Sequence, residues 1–307
     1  MKKTHAQDTK LRLFLGDFLE VSPKLKDKDY DLIIADPPYF KVVNESWDYK
    51  WSTFEDYLAW TEEWLTLAYE HLRYGGSLYL FGYFRNLARI NEIAENLGFE
   101  LRQQIIIDKG IKSVAGRKTS TYRLFPNVTE SILFFTKDNK KVIKPLLKDR
   151  ANELGLTSKE INERLGVKSN GGGMWSIYTG KNMCEQFPTK ATWDKLMKVL
   201  DFDLDYYKYA QTFNPIMGLT DVWSDLDFYS NERIHPTEKP YKLIERLIKS
   251  SSNEGDSILD PFAGSSITGI VANDLGRNAD LCELSEEYFN ASLSRLKGKN
   301  ITCEHIR

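Results

Sequence analysis

Strand-like and helix-like segments alternate at both ends of this chain, and the alternation lapses in its middle. Short β-branched or apolar runs bounded by turn residues occur at 13–15, 32–35, 77–81, 105–107, 132–135, 257–259 and 280–283, and each reads as a strand. Helical periodicity lies between several of them. Phe54, Tyr57, Leu58, Trp64, Leu65, Ala68 and Leu72 recur at three-to-four spacing behind Ser52-Thr53, which can cap a helix. Tyr74-Gly75-Gly76 is expected to end that helix and start the next strand. Further helices are expected over 85–97, 241–251, 266–275 and 285–296. Strands that alternate with helices in this way predict an α/β fold, a mainly parallel sheet covered by helices on both faces.

From about residue 136 to 228, short helical stretches rich in lysine and aromatics replace the alternation. Residues 157–165 and 189–200 read as capped helices on either side of a loop at Ser169-Asn170-Gly171-Gly172-Gly173. Their spacing is too long for a strict helix-turn-helix and suits a small helical cap. The chain is therefore divided into 1–135, an inserted 136–228 and 229–307.

Hydrophobic residues are 41% and charged residues 28% of the 307, which excludes a disordered chain. No apolar run approaches the roughly 20 residues of a membrane span, and Met1-Lys2-Lys3 runs into polar sequence, so no secretory leader is expected. Cys184, Cys282 and Cys303 lack both disulfide-framework and metal-knuckle spacing and read as ordinary thiols of a cytoplasmic protein; no metal site is expected. The net charge of −2 conceals a gradient, because residues 109–150 hold eleven lysines and arginines against Glu130, Asp138 and Asp149. Basic residues there interleave with Tyr122, Phe125, Phe134 and Phe135, which favours a face that contacts phosphates.

Two turns carry the chemistry. Residues 32–35 form an apolar run that delivers Asp36-Pro37-Pro38-Tyr39 at its C-terminal end, where open α/β sheets bind ligands. Two successive prolines stiffen this turn and donate no N–H. The second run, 257–259, leads into Asp260-Pro261-Phe262-Ala263-Gly264-Ser265-Ser266 and then a helix. Gly264 permits close backbone approach, and Glu283 follows at the end of the next strand, a spacing that suits a carboxylate on ribose hydroxyls. With one glycine and no lysine, the turn is a poor phosphate loop. An acid beside small residues better suits a nucleoside that carries a cationic amino-acid group.

Together these residues resemble the β-class amino-methyltransferases of DNA, which use S-adenosylmethionine. Asp36-Pro37-Pro38-Tyr39 is similar to that family's catalytic motif, and Asp260-Pro261-Phe262-Ala263-Gly264-Ser265 to its methionine-binding turn. Ile234-His235-Pro236-Thr237-Glu238-Lys239-Pro240 resembles another of its motifs, with weaker matches at Gly16-Asp17 and Glu130–Lys137. Catalytic turn first, variable middle and cofactor turn last is the β-class order. The resemblance implies a permuted class I methyltransferase fold, Rossmann-like, with 136–228 as the target-recognition region. One departure is Ser266, where the family usually has a second glycine.

The resemblance further implies that Asp36, Pro37, Pro38 and Tyr39 are catalytic. Asp36 and the Pro37 carbonyl would accept the amino hydrogens of a flipped base, and the ring of Tyr39, rather than its hydroxyl, would stack on it. For S-adenosylmethionine it implies Asp17 at the adenine, Glu283 at the ribose, and Asp260, Phe262, Gly264 and Ser265 at the methionine end. Asp36 borders that site, and His235, Thr237 and Lys239 would close over it. Thr237 also reads as the cap of the helix at 241–251. Arg117, Lys118, Arg123, Lys137, Lys140, Lys141 and Lys144 are candidate phosphate contacts; Lys168, Asn170, Trp175, Tyr178, Lys181, Asn182 and Gln186 could read bases. Aspartate at the first motif position points to N6 of adenine in duplex DNA, and N4 of cytosine is the alternative. An RNA or protein methyltransferase and a catalytically silent DNA-binding module are the rival classes. Duplex DNA is the expected partner; a homodimer and a cognate restriction endonuclease stay open.

Overall fold

The computed structural model describes residues 9–25, 29–41, 49–114, 123–167, 173–180, 185–228 and 238–307. His235, Thr237, Arg117, Lys118, Lys168, Asn170, Lys181 and Asn182 lie outside the described residues. Nine strands form one sheet: β1 (Leu11–Leu15), β2 (Tyr30–Ala35), β3 (Leu72–Gly82), β4 (Phe99–Asp108), β5 (Thr129–Lys137), β6 (Val222–Trp223), β7 (Ser257–Asp260), β8 (Asn278–Glu283) and β9 (Glu304–Ile306), in the order β6-β4-β5-β3-β2-β7-β8-β1-β9. Every pairing is parallel except those of β5 with β3 and β4. The mainly parallel α/β fold expected from the alternation is the one observed.

Alternate strand residues face two apolar layers. Leu13, Leu32, Ile34, Tyr79 and Phe81 pack with α8 (Tyr241–Ser251), α9 (Ile267–Asp274) and α10 (Glu286–Gly298). Phe14, Ile33, Ala35, Leu78 and Leu80 pack with α1 (Phe18–Val21), α2 (Phe54–His71) and α3 (Phe84–Leu97). Burial on both faces is why these strands read as unbroken apolar runs.

Two local expectations are corrected. The helix α2 has the expected cap, with Thr53 accepting from the Asp56 N–H in a reciprocal capping box, but it stops at His71. Tyr74-Gly75-Gly76 lies inside β3, where Tyr30 pairs with Leu72 but Leu32 with Ser77, so the two glycines absorb an irregularity in the strand. The residue preceding α8 is Pro240, which makes no side-chain cap.

A second compact unit spans Asp138–Gln211. Residues 212–228, read from sequence as part of the middle region, belong to the larger unit because Val222 and Trp223 extend the sheet along β4. The smaller unit is helical: α4 (Lys140–Glu153), α5 (Ser158–Arg164), α6 (Gly173–Tyr178) and α7 (Lys190–Leu200) enclose Ile143, Leu147, Ile161, Leu165, Trp193, Leu196 and Leu200. Trp175 and Tyr178, candidates for base reading, are core residues of this unit. Among the described residues, no helix is long and apolar enough to cross a membrane.

Candidate active site

The strand order places β2 directly beside β7, with Leu32 opposite Ile258 and Ile33 opposite Leu259. The pair is parallel, so both strands end on the same side of the sheet. The turn after β2 carries Asp36 and the turn after β7 carries Gly264. The position between them is the switch point, where crossover connections diverge and leave a crevice. A cavity of about 460 Å³ occupies it, lined by Asp36, Pro37, Pro38 and Tyr39 from one turn and Asp260, Phe262, Gly264 and Ser265 from the other. Asp17, Lys239 and Glu283 line the same cavity. Residues more than two hundred positions apart in sequence thus share one wall.

Each turn is held from several directions. The Tyr57 hydroxyl donates to the Pro38 carbonyl at 2.9 Å, and the Asn86 amide donates to the Tyr39 carbonyl at 2.6 Å. The Pro37 carbonyl has no protein donor among the described residues. In the second turn Gly264 takes φ 50°, a left-handed conformation open to glycine at no cost. Glu283 accepts from the Gly264 N–H at 2.7 Å and from the Ser285 N–H at 2.7 Å, so this carboxylate closes the turn as well as facing the cavity. Asp17 caps α1 by accepting from Leu19 N–H. Phe262 packs edge-on to Trp64 with centroids 5.1 Å apart.

Ser266 explains why a glycine would be expected at its place. It is left-handed at φ 56°, fully buried, and its hydroxyl finds no partner among the described residues. A left-handed non-glycine residue costs roughly 1–2 kcal/mol, and an unpaired buried hydroxyl adds to that. Ser266→Gly is expected to stabilise the cofactor-free protein by about 1 kcal/mol, read as a rise in melting temperature of about 2 °C. A lower melting temperature would show that the serine is relaxed in place.

Two buried carboxyls of the cavity sit in an unusual electrostatic setting. Burial pushes Asp260 up to about 7 against hydrogen bonds from Thr268 and the Phe262 N–H. Burial likewise pushes Glu283 up to about 7 against its backbone donors. Neither carboxylate has an ion-pair partner among the described residues. By contrast, Lys239 is fully engaged. Its ammonium lies 2.9 Å from Asp36 Oδ2 and 2.8 Å from Glu130 Oε1, so it faces the turn after β2 at the edge of the cavity. Glu130 was visible in sequence only as part of a weak motif match, because it reaches the site from β5. Tyr39 is held by its hydroxyl, 2.5 Å from Asp36 Oδ1 and 2.5 Å from Glu130 Oε1, as well as by its ring. The expectation that only the ring matters omitted these contacts.

Among the candidate phosphate contacts, Lys137 is corrected outright. Its ammonium is buried and donates to the carbonyls of Tyr69 at 2.6 Å and Leu72 at 2.7 Å, over the rings of Tyr69 and Tyr74. Carbonyls at the end of α2 carry the negative end of the helix dipole, which attracts a cation there. Phe134 and Phe135 are core residues of β5, whereas Phe125 is exposed. Arg123 and Lys141 are exposed, Lys140 pairs with Asp138, and Lys144 pairs with Glu185. Gln186 is exposed. Arg85 and Arg89 were missed. They are exposed one turn apart on α3 beside Phe84, with no acid paired to either among the described residues. They line a second groove with Phe40 and Lys41, which directly follow Asp36-Pro37-Pro38-Tyr39.

In sequence, residues 30–294 match the DNA methylase family, and the chain belongs to that family. The Type II methyltransferase M2.DpnII of Streptococcus pneumoniae is 26% identical over 98% of this chain and 95% of its own length. In fold, a putative DNA modification methylase of Thermus thermophilus, solved with S-adenosyl-L-methionine, covers 97% of this chain and 100% of that one, with a TM-score of 0.56 at 20% identity. PvuII DNA methyltransferase, which is cytosine-N4-specific, covers 97% of this chain and 90% of that one, with a TM-score of 0.54 at 17% identity. The protein is a DNA methyltransferase, and S-adenosylmethionine is the methyl donor of its family. The cavity fits that cofactor: Asp260, buried without an ion pair among the described residues, suits a cationic guest, Glu283 suits ribose hydroxyls, and left-handed Gly264 permits close approach to backbone.

Proposed function

We propose that the chain is a site-specific DNA methyltransferase acting on the exocyclic N6 of adenine in duplex DNA after base flipping. The observation that carries this reading is the shared cavity, lined by Asp36 and Pro37 from one turn and by Asp260, Phe262, Gly264 and Ser265 from the other. S-adenosylmethionine supplies an electrophilic methyl group on a cationic sulfur. An exocyclic amino nitrogen is a weak nucleophile because its lone pair is delocalised into the ring. Asp36 and Pro37 each accept one amino hydrogen, which draws the nitrogen toward tetrahedral geometry and aims its lone pair at the methyl. As the methyl–nitrogen bond formed, the methyl–sulfur bond would break and leave a neutral thioether; the Asp36 carboxylate would stabilise the cationic nitrogen until one of its protons passed to solvent. Holding both partners in line supplies much of the remaining acceleration.

Aspartate at the first motif position, in the β-class order, supports adenine over cytosine. Asp17, Asp260, Phe262, Gly264, Ser265 and Glu283 hold the cofactor in this reading. The helical unit, with Lys140 and Lys141 on α4, is the target-recognition region, and Arg123 adds a phosphate contact. The Type II names of the relatives support a partner endonuclease that recognises the same sequence. Incubating duplex DNA with tritiated S-adenosylmethionine and digesting it to nucleosides tests the proposal. Label is expected on N6-methyladenine; label on N4-methylcytosine, or on RNA or protein substrates alone, overturns it.

Arg85 and Arg89 extend the DNA-facing surface to the edge of the catalytic turn. Each neutralised phosphate contributes about 0.9 to the slope of log affinity against log salt. Arg85→Ala with Arg89→Ala is therefore expected to weaken duplex binding alike for all sequences and to lower that slope by about two, measured by fluorescence anisotropy. An unchanged slope removes these arginines from the interface.

A further inference from the structure

Beside the cavity lies a buried cluster whose members come from three distant parts of the chain. Asp36 and Tyr39 come from the turn after β2, Glu130 from β5, and Lys239 from the segment before α8. The Glu130 side chain is 3% exposed and that of Lys239 8%. Lys239 bridges the two carboxylates, and Lys109 approaches the other oxygen of Glu130 at 3.1 Å. Two acids and two cations balance, which makes so much buried charge tolerable. Burial pushes the Glu130 carboxyl up, but Lys239 and Lys109 outweigh it and hold it ionised at about 2.

A count of hydrogens gives Glu130 its task. The Tyr39 hydroxyl lies 2.5 Å from both Asp36 Oδ1 and Glu130 Oε1, yet it has one hydrogen to donate. Burial first, then the two carboxylates, keep that hydroxyl protonated. When the hydrogen points to Asp36, both oxygens of the catalytic carboxylate are engaged by the protein, Oδ1 by Tyr39 and Oδ2 by Lys239. When it points to Glu130, Oδ1 is released while Oδ2 stays pinned.

We propose that Glu130 is a positioning residue for methyl transfer: it anchors Lys239 against Asp36 Oδ2 and draws the Tyr39 hydroxyl hydrogen away from Oδ1, leaving that oxygen to the amino group of the base. The proposal rests on Asp36 as the acceptor for the amino hydrogens. Glu130 itself touches neither base nor cofactor in this scheme, so its effect passes through Asp36.

The test is single-turnover methyl transfer at saturating DNA and cofactor, beside the dissociation constant for S-adenosylmethionine measured by calorimetry. Glu130→Gln is expected to slow transfer at least tenfold while the dissociation constant moves less than threefold. Adding Tyr39→Phe, which deletes the competing hydroxyl and keeps the ring, is expected to recover several-fold of the lost rate. A merely structural role predicts no such rescue. A Glu130→Gln rate within twofold of wild type, or no rescue by Tyr39→Phe, overturns the proposal. If Glu130→Gln also loses cofactor binding, Glu130→Asp keeps the charge balance, withdraws the carboxylate from the cluster, and is read by the same two measures. Asp36→Ala separates the two layers: if it remains active, the assignment of Asp36 fails; if it is inactive while Glu130→Gln is fast, only the role of Glu130 fails.

Discussion

Asp36→Ala is expected to transfer methyl groups at about a thousandth of the wild-type rate or less, with S-adenosylmethionine bound within a few-fold of its normal affinity. The size follows from what the carboxylate does. Loss of one preorganised group that stabilises developing charge costs roughly 10²- to 10³-fold, and Asp36 also orients the nucleophile, so both effects disappear together. Lys239, deprived of Asp36, keeps a carboxylate partner in Glu130 at 2.8 Å. The turn also keeps its backbone anchors from Tyr57 and Asn86, so the cavity wall stays in place. Rapid-quench assays with tritiated cofactor measure the rate, and calorimetry the affinity. Transfer at more than a tenth of the wild-type rate would mean that the amino hydrogens are accepted elsewhere.

The two turns were legible because each concentrates its chemistry within a few residues after a strand, and strand ends are where such sheets bind ligands. The adjacency of β2 and β7, with Leu32 opposite Ile258, is what brings the two turns together. What stayed hidden was partnership at a distance. Glu130 stands just before an apolar run and reads as one polar residue at a strand's start; only the pairing of β5 with β3 brings it to Asp36 and Tyr39. Lys137 ends the same strand and looked like one more member of a basic stretch. Charge counting cannot tell a solvated lysine from one buried over two tyrosines and the end of α2. Helix α4 was hidden by Pro145 and by its run of lysines, although Ile143, Leu147 and Ala151 place one apolar stripe against the core of the smaller unit. The left-handed backbone at Ser266 was visible only as a departure from a familiar pattern; its φ supplies the reason.

The carboxyls of Asp260 and Glu283 lead to the second large effect, a cofactor affinity that rises with pH. Both are pushed up to about 7 by burial, so near neutral pH each is part protonated in the free protein. A cationic donor and its ribose hydroxyls favour the ionised forms, so binding draws both pKa values down and expels protons. The affinity for S-adenosylmethionine should then strengthen between pH 6 and pH 8 by roughly tenfold for each carboxylate that ionises on binding. Stability of the free protein should run the opposite way. A carboxyl whose folded pKa is raised contributes most at low pH, and that contribution is lost as pH climbs from the ordinary carboxylate range through about 7. The cofactor-free protein should therefore melt lower at pH 8 than at pH 6, and saturating cofactor should shrink the gap. Calorimetry at pH 7 in two buffers of different ionisation enthalpy reads the protons directly, and about one is expected to be released per cofactor bound, half from each carboxyl. Proton uptake, or an affinity flat across this range, would mean that the two acids are already ionised in the free protein and that the cavity holds the donor mainly by shape.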